Sequence, residues 1–551
     1  MLRIQFFWRI TFEAFLLKKR CKVKVVINNI NVSIERDQNL ELKKEIIKRG
    51  IKEENIERIE YSKRSIDSRK KTEIKFVYNI EVTLKKDVDL STLTNVNLAK
   101  EIIEDTLIGK TGVERVAVIG AGPAGLFAAL RLCELGIKPV IYERGEKVDD
   151  RDKTIDEFIK FSMLNPNSNI QFGEGGAGTY SDGKLNTRVK SGYMNKVFLE
   201  LVENGAQEQI LWDYKPHVGT DVLKVVVKNL REKIIKMGGE FHFNTLIKDI
   251  VILDGVVKGL KIQNLKSQIL IEETELFDHV VLGIGHSSRD TYRMLHSKGV
   301  FMENKPFAIG ARIEHPRVDI DTMQYGKMAS HPNLEAATYS LTYNNREEER
   351  GVFSFCMCPG GVIVNAASQE GGSLVNGMSY STRDGRFSNS ALVVGVKANE
   401  FGDELFSGME YQDRLEKMTY DEVGNYGALY QNTLDFLKDK KTNRKIESSY
   451  EMELKSHDLN SLFPKVIADN MKKAMGYWEK TQRNFISEHA NLIGPETRTS
   501  APVKITRNEL GESINTKGLY PIGEGAGYAG GIISAAIDGF KIIDLAFATA
   551  K

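Results

Sequence analysis

"VAVIGAGPAGLFAALRLCELGIKPVIYERG", Val116 to Gly145, is a short apolar run, a glycine-rich turn, a helical stripe and a second apolar run that ends on an acid. Val116 to Ile119 is apolar without alternation, as expected of a parallel strand buried on both faces. Gly120, Gly122 and Gly125 then spell G-x-G-x-x-G. The first allows a tight turn, the second lets backbone approach a pyrophosphate, and the third lets helix and strand pack closely. Pro123 suits the first helical turn, where its missing N–H costs nothing. Leu126, Ala129, Leu130 and Cys133 recur at i, i+3, i+4 and i+7, an apolar face that places Cys133 in the core. Gly136 closes the helix, and "KPVIYE" returns as a strand ending on Glu143. A carboxylate there can accept from a ribose 2'-hydroxyl and would repel a 2'-phosphate. Arg144 follows, and chain order puts it at an adenosine end. Strand, glycines, helix and acid together predict a dinucleotide site.

The far end of the chain complements this. "GLYPIGEGAGYAGGIISAAIDGFKIIDLAF", Gly518 to Phe547, is a strand, an acid between glycines, and a glycine pair opening an apolar helix. It resembles the C-terminal FAD motif of two-part flavoproteins. That resemblance gives Gly523, Glu524, Gly530, Gly531 and Ile532 to the cofactor, with Glu524 on the ribityl chain. Gly530 and Gly531 present backbone N–H groups at a helix start, where the dipole favours negative charge on a reduced flavin.

Further phrases carry a broader resemblance: "NIQFGEGGAGTYSDGKLNTR" (169–188), "KPHVGTDVL" (215–223), "VVLGIGHSSRDTY" (280–292), "KPFAIGARIEHP" (305–316), "FSFCMCPGGVIVNAASQEGGSLVNGMSYSTRDG" (353–385) and "PETRTSAPVKITR" (495–507). With both motifs above, they closely resemble the bacterial family of uncharacterised FAD-dependent dehydrogenases, from about residue 22 to the end. The resemblance implies bound FAD, a glutathione-reductase-like nucleotide domain with an inserted substrate domain, and oxidoreductase activity on an unestablished substrate. It supplies no catalytic residue. "GEGGAGTYSDGK" holds too many glycines for a regular element, so its backbone can lie against a ligand, with Gly175, Gly176 and Ser181 expected near the flavin. "VVLGIGH" reads as another buried strand leading to Gly283 and Gly285, without the third glycine of a separate fingerprint. NADH or NADPH is therefore expected only as a transient electron donor docking over the flavin.

Candidates for chemistry are fewer. Cys356 and Cys358, in an extended "FSFCMC", would share one face near the upper separation for a disulfide; they read either as flavin-facing redox groups or as small packing residues. No metal-ligand partners stand nearby, so no metal site is expected. His217, His286 and His315 sit at expected strand or loop ends, where an imidazole can move a proton beside a hydride or simply hold structure. Arg498 and Arg507 could hold an anionic substrate or offset flavin charge, or be tied up in ion pairs.

The remaining sequence sets the frame. At 551 residues, with domains of about 100–200 residues, the chain holds roughly three domains. Hydrophobic residues at 41%, charged residues at 28% and a net charge of +2 exclude a globally polyanion-directed protein. Four cysteines are too few for a disulfide framework, and no run of about 20 uncharged apolar residues could span a bilayer, so a cytoplasmic location is expected. The first 20 residues are apolar and basic, but Arg9 and Glu13 interrupt a signal-peptide core.

The expected fold class is α/β: a Rossmann-type FAD-binding domain with an inserted β-rich and helical substrate domain and a small N-terminal α+β domain. The boundaries are an extension over 1–21, the small domain over 22–110, the FAD-binding domain over 111–304 and 491–551, and the substrate or cap domain over 305–490. Within the small domain, "KVKVVINNINVSI" and "EIKFVYNIEVTL" alternate as strands around a helix "LELKKEIIKRG" closed by Gly50, and residues 88–112 read as a helical connection. Residues from about 408 to 490 read as helical. Lys63, Arg64, Arg69, Lys70 and Lys71 form a basic stretch. This is a solvated face or, in the alternative reading, the phosphate grip of an RNA-directed flavoprotein or RNA-binding module. The leading expectation is an FAD-dependent oxidoreductase that transfers a hydride between flavin N5 and an unidentified small organic substrate. A third reading is a flavin-bearing structural or sensor protein that never turns over.

Overall fold

A computed structural model of the chain describes residues 23–86, 90–98, 107–187, 189–267 and 272–550. The expected extension over 1–21 lies outside the described residues. The chain divides into two units, Met1–Asp105 with Leu211–Tyr214, and Thr106–Ile210 with Lys215–Lys551. Among the described residues no helix is long and apolar enough to cross a membrane.

The first unit is an antiparallel sheet in the order Ile56–Asp67, Lys75–Leu84, Lys24–Ser33, Asn97–Leu98. The inward half of the alternation, Val25, Ile27, Val32, Phe76, Tyr78, Ile80 and Val82, is buried. Gln38–Lys48 is the expected helix, started by Asp37, whose carboxylate accepts from the Leu40 N–H at 2.9 Å. The strand Ile56–Asp67 carries the front of the basic stretch, and its charges meet local partners. Arg64 forks onto Asp213 at 2.7 and 3.1 Å, Arg69 onto Asp67 at 2.8 and 2.6 Å, and Lys70 reaches Glu73 at 2.7 Å. Lys63 lies over the Tyr214 ring. Three of the five basic residues, Arg64, Arg69 and Lys70, are thus paired with carboxylates. In place of the helical connection over 88–112, the described residues form a 3-10 turn at Leu90–Thr92 and the strands Asn97–Leu98 and Leu107–Gly109. The last of these pairs with Ala548–Ala550, a partner brought from the far end of the chain.

In the second unit a five-stranded parallel sheet runs Leu519–Pro521, Val280–Leu282, Arg115–Ile119, Lys138–Tyr142, Glu240–His242. The opening stretch supplies two of these strands, joined through the helix Pro123–Glu134, and the chain's last segment supplies the edge beyond Val280–Leu282. That helix packs on Ile532–Phe547, with the Phe127 and Phe540 rings edge-on at 5.4 Å. A Cβ on Gly125 would lie 1.9 Å from the Gly120 carbonyl oxygen, and one on Gly539 would lie 2.4 Å from that of Ala124. The first pins helix to strand and the second pins helix to helix.

A seven-stranded sheet runs Thr342–Asn345, Arg350–Cys358, Phe387–Val396, Phe307–Pro316, Asn491–Glu496, Ala428–Asn432, Leu454–Ser456, antiparallel except for its last pair. Its central strands are buried along nearly their whole length. Two features differ from expectation. Between the helices Ser407–Val423 and Lys465–Glu479 the chain forms strands, because short apolar runs such as "GALYQN" have no periodicity that separates strand from helix. Asn491–Glu496 also belongs to this sheet, although its sequence reads as part of the closing segment.

Candidate functional site

The glycine turn after Arg115–Ile119, the loop 169–183, the turn after Val280–Leu282 and the start of the helix Ile532–Phe547 meet around a cavity of about 330 Å3. Gly120, Gly122, Glu143, Arg144, Gly176, Ser181, Gly283, Gly285, Glu524, Gly530, Gly531 and Ile532 line it, as do His286, Cys356 and Arg498. Gly125, Gly175 and Gly523 stand behind the wall. Gly175 has φ +79 with Thr179 where a Cβ would go, and Gly523 has φ +71 against Ala124.

Glu143 organises one end. Its carboxylate accepts from the N–H groups of Ala121 at 2.8 Å, Gly145 at 2.9 Å and Gly173 at 3.0 Å, so it clamps both glycine loops. A carboxylate offers about four lone-pair positions, which leaves one for a ligand hydroxyl. Arg144 is held by Asp290 and Asn167 and lies over the Phe172 ring. The loop 169–176 is fixed from beneath by Arg151, fully buried, which donates to the carbonyls of Asn169, Ile170, Glu174 and Gly176 at 2.7–3.0 Å. Gly173, at φ +120, leaves room for that side chain: a Cβ there would lie 2.5 Å from Arg151 Cδ.

At the other end, Glu524 is 24% exposed and lies 3.9 Å from His286 Nδ1. Burial pushes the Glu524 carboxyl up to about 7 against the pull of Lys305. Burial and the cations Arg498 and Arg289 push His286 down to about 3, so this imidazole is neutral at neutral pH. His286 Nε2 is buried and has no hydrogen-bond partner among the described residues.

The cysteines depart from the extended reading. Phe355 pairs with Ala391 and Cys358 with Asn389, so the strand carries one extra residue, and Cys356 adopts φ +44 within this bulge. Cys356 is half-buried on the cavity wall and Cys358 is fully buried, with the two thiols still within hydrogen-bonding reach of each other. Cys358 donates to the Cys356 carbonyl at 3.2 Å. Arg312, 0% exposed, donates to the Cys356 carbonyl, to Cys358 Sγ at 3.7 Å, to Asn389 at 2.7 Å and to Glu496 at 2.9 Å. A hydrogen bond from Cys358, with Lys184 and Arg312 nearby, holds the Cys356 thiol below its usual range.

The other candidates take structural places. His217 stands outside the cavity lining, with Nε2 3.1 Å from the Ser381 carbonyl. His315 is buried, with Nε2 2.9 Å from the Phe485 carbonyl, and burial pushes it down to about 4. Arg498 reaches the cavity, but its donors go to Glu416, Ser368 and Gln369. Arg507 pairs with Asp538 and stacks on Tyr528. Among the described residues no group of three or more acidic, histidine or cysteine side chains could hold a metal ion. Residues that the sequence did not single out also line the cavity: Gln171, Asp182, Lys184, Asn186, Thr245, Phe355, Asn376 and Thr499. Asp182 and Lys184 lie inside the glycine-rich loop that was noticed, whereas Phe355 and Asn376 arrive through tertiary pairing.

Residues 306–499 match the family described as FAD-dependent protein, C-terminal domain-like, and residues 24–83 match a domain of unknown function. An uncharacterized protein of Clostridium beijerinckii is 46% identical over 527 residues, covering 94% of this chain and 97% of its own. The chain belongs to that protein's family, one carrying the FAD-dependent C-terminal domain. Solved structures similar to this family member include a glycine oxidase from Bacillus cereus (12% identity, 79% of this chain and 94% of that one, TM-score 0.33). Another is a flavoprotein/dehydrogenase from Cytophaga hutchinsonii (11% identity, 79% of each chain, TM-score 0.34).

Two observations test the fit of the cavity to FAD. A Cβ built on Gly285, Gly530 or Gly531 would meet nothing within 4 Å, so these backbones face open space that a closely approaching ligand would fill. The wall also joins a carboxylate with a lone pair to spare, Glu143, to backbone N–H groups at the start of the helix Ile532–Phe547, the donor and acceptor set that a dinucleotide needs. The residues present fit the group.

Proposed function

We propose that the protein is an FAD-dependent oxidoreductase, moving a hydride between flavin N5 and a small organic substrate. The observation that carries this reading is one cavity whose wall joins the first glycine motif to the N-terminus of the last helix, residues about 400 positions apart in the chain. In this reading Glu143 keeps its remaining lone pair for the ribose hydroxyl, and the turns at Gly120–Gly122 and Gly176 lie along the pyrophosphate. Glu524 takes the ribityl chain. The N–H groups at Gly531 and Ile532 face the pyrimidine ring, where a helix N-terminus stabilises negative charge by about 0.3–2 kcal/mol.

Bound there, FAD supplies two-electron hydride chemistry. The protein contributes the polarity of the wall: a neutral His286 able to donate or accept one hydrogen bond, and a Glu524 carboxyl whose proton exchanges near neutral pH. Cys356, Asn376 and Lys184, which also line the cavity and lie outside the two glycine motifs, are assigned to the substrate. The glycines after Val280–Leu282 supply no second dinucleotide fingerprint, so NADH or NADPH would be a transient donor.

Anaerobic titration of the FAD-loaded protein with NADH, NADPH and dithionite tests the assignment. Bleaching of the visible flavin band by either nucleotide identifies a pyridine-nucleotide-linked reductase, and bleaching by dithionite alone points to a dehydrogenase reduced by its own substrate or to a flavin-bearing protein that does not turn over. Failure of dithionite itself to produce a two-electron reduced flavin would contradict the reading.

A further inference from the structure

A second cavity, of about 150 Å3, shares Lys184, Asn186 and Cys356 with the first and opens at Lys215 and Ser340. Its charges are unbalanced. Lys184, Lys215 and Arg383 line it. Arg383 is committed to Asp182, a fully buried carboxylate gripped by both Nε and Nη2. Asp182 also sits 3.3 Å from Lys184 Nζ. That leaves three cations against one carboxylate, and the Cys356 sulfur at the inner end reduces the excess to one positive charge when it is a thiolate. Burial, and after it the like charges of Lys184 and Arg383, pushes Lys215 below its usual range.

Lys184 is the decisive group. Its Nζ is buried and donates no hydrogen bond among the described residues. An ammonium carries three donors, and one ion-pair contact does not satisfy them. Nor is it a mobile surface lysine. The backbone on either side is fixed to the strand-like segment 216–218, with Leu185 N–H on the Pro216 carbonyl at 3.0 Å and Val218 N–H on that of Gly183 at 3.1 Å. The fold therefore holds an undersatisfied ammonium beneath the wall that the two cavities share, where a rotamer change of the half-buried side chain would bring it to an anion; Asn186 and Ser354 also line the second cavity.

We propose that this second cavity is the substrate's anion subsite: it holds the carboxylate of a small organic monocarboxylate between Lys184 and Lys215 and points the rest of the molecule past Cys356 toward the cofactor cavity. This assignment of substrate class rests on the oxidoreductase reading above for its catalytic meaning, but not for its binding. Arg383, already forked onto Asp182, fixes the floor of the subsite and is a positioning residue.

The test is calorimetric titration of the full chain, in the presence of saturating FAD, with benzoate and with its neutral isostere benzamide. Charge-assisted hydrogen bonding predicts that benzoate binds at least about tenfold tighter than benzamide. Lys184→Gln should abolish most of that preference, while Lys184→Arg retains it. Asp182 keeps its Arg383 fork in either variant, so the fold has no unpaired buried carboxylate to accommodate. Lys215→Gln, at the mouth, should weaken benzoate by a smaller factor that shrinks at high salt, because exposed charges are screened. Equal affinity for benzoate and benzamide, or a preference that survives the double variant Lys184→Gln/Lys215→Gln, overturns the proposal. A calorimetric FAD titration of the same preparation separates the two readings. Benzoate preference without FAD binding leaves the subsite standing and removes the flavin reading, whereas FAD binding without benzoate preference does the reverse.

Discussion

Cys356 shows how one backbone angle decides what a residue can do. At φ +44 it occupies a left-handed conformation that costs a non-glycine residue of order 1–3 kcal/mol and persists only where the surroundings enforce it. Arg312, donating to the Cys356 carbonyl and reaching Cys358, is that enforcement. The consequence is a thiol aimed at the cavity and held below the usual range. A thiol whose proton is lost early is a thiolate above that lowered value. Iodoacetamide alkylation of Cys356 should therefore rise through a midpoint at least about one unit below the ordinary thiol value near 8.5. Lys184→Gln should move the midpoint upward, since Lys184 is one cause of the lowering. Peptide mapping of the alkylated protein across pH gives the curve, and a midpoint at the ordinary value would remove the argument. None of this was legible in "FSFCMC". The bulge is set by register against Phe387–Val396, which the local sequence does not carry. The two readings of the histidines stay open in the sequence for a related reason: which imidazole meets a cavity and which meets a carbonyl depends on neighbours far away in the chain.

Elements whose signals are local could be read well. The first glycine motif, its helix and the terminal Glu143 need only residues 115–145, and the closing helix announces itself through its glycine pair. The close approach at Gly125 makes a direct test. Gly125→Ala places a methyl 1.9 Å from a backbone oxygen, so the helix Pro123–Glu134 must lift from its strand, at a cost of about 1–3 kcal/mol. Gly476→Ala is the matched control, an exposed position in the helix Lys465–Glu479 with nothing within 4 Å of the new atom, and should stabilise by about 1 kcal/mol. Thermal unfolding should show Tm falling for the first and holding or rising for the second; equal behaviour would mean that the contact is not what joins helix and strand. The strands Ala428–Asn432, Leu454–Ser456 and Asn491–Glu496 were not legible, because three to six buried residues carry no period and their partners are remote.

At the scale of the whole molecule, the sheet that builds the cavity takes strands from both ends of the second unit, the seven-stranded sheet brings Cys356 to its wall, and the two-stranded sheet Val362–Asn365 with Val375–Met378 brings Asn376. The sequence announced the cofactor side through glycines and acids, whereas the substrate side rests on cavity walls that exist only once distant strands pair. The central claim is that this cavity holds FAD. The most direct test is to denature the purified, FAD-reconstituted protein after exhaustive dialysis and quantify released FAD per chain by absorbance. The account predicts about one FAD per chain, as expected of a single dinucleotide fingerprint. It also predicts a substantially lower ratio for Glu143→Ala, which removes the clamp on both glycine loops. A protein that folds, dialyses free of flavin and behaves identically with and without Glu143 would contradict it.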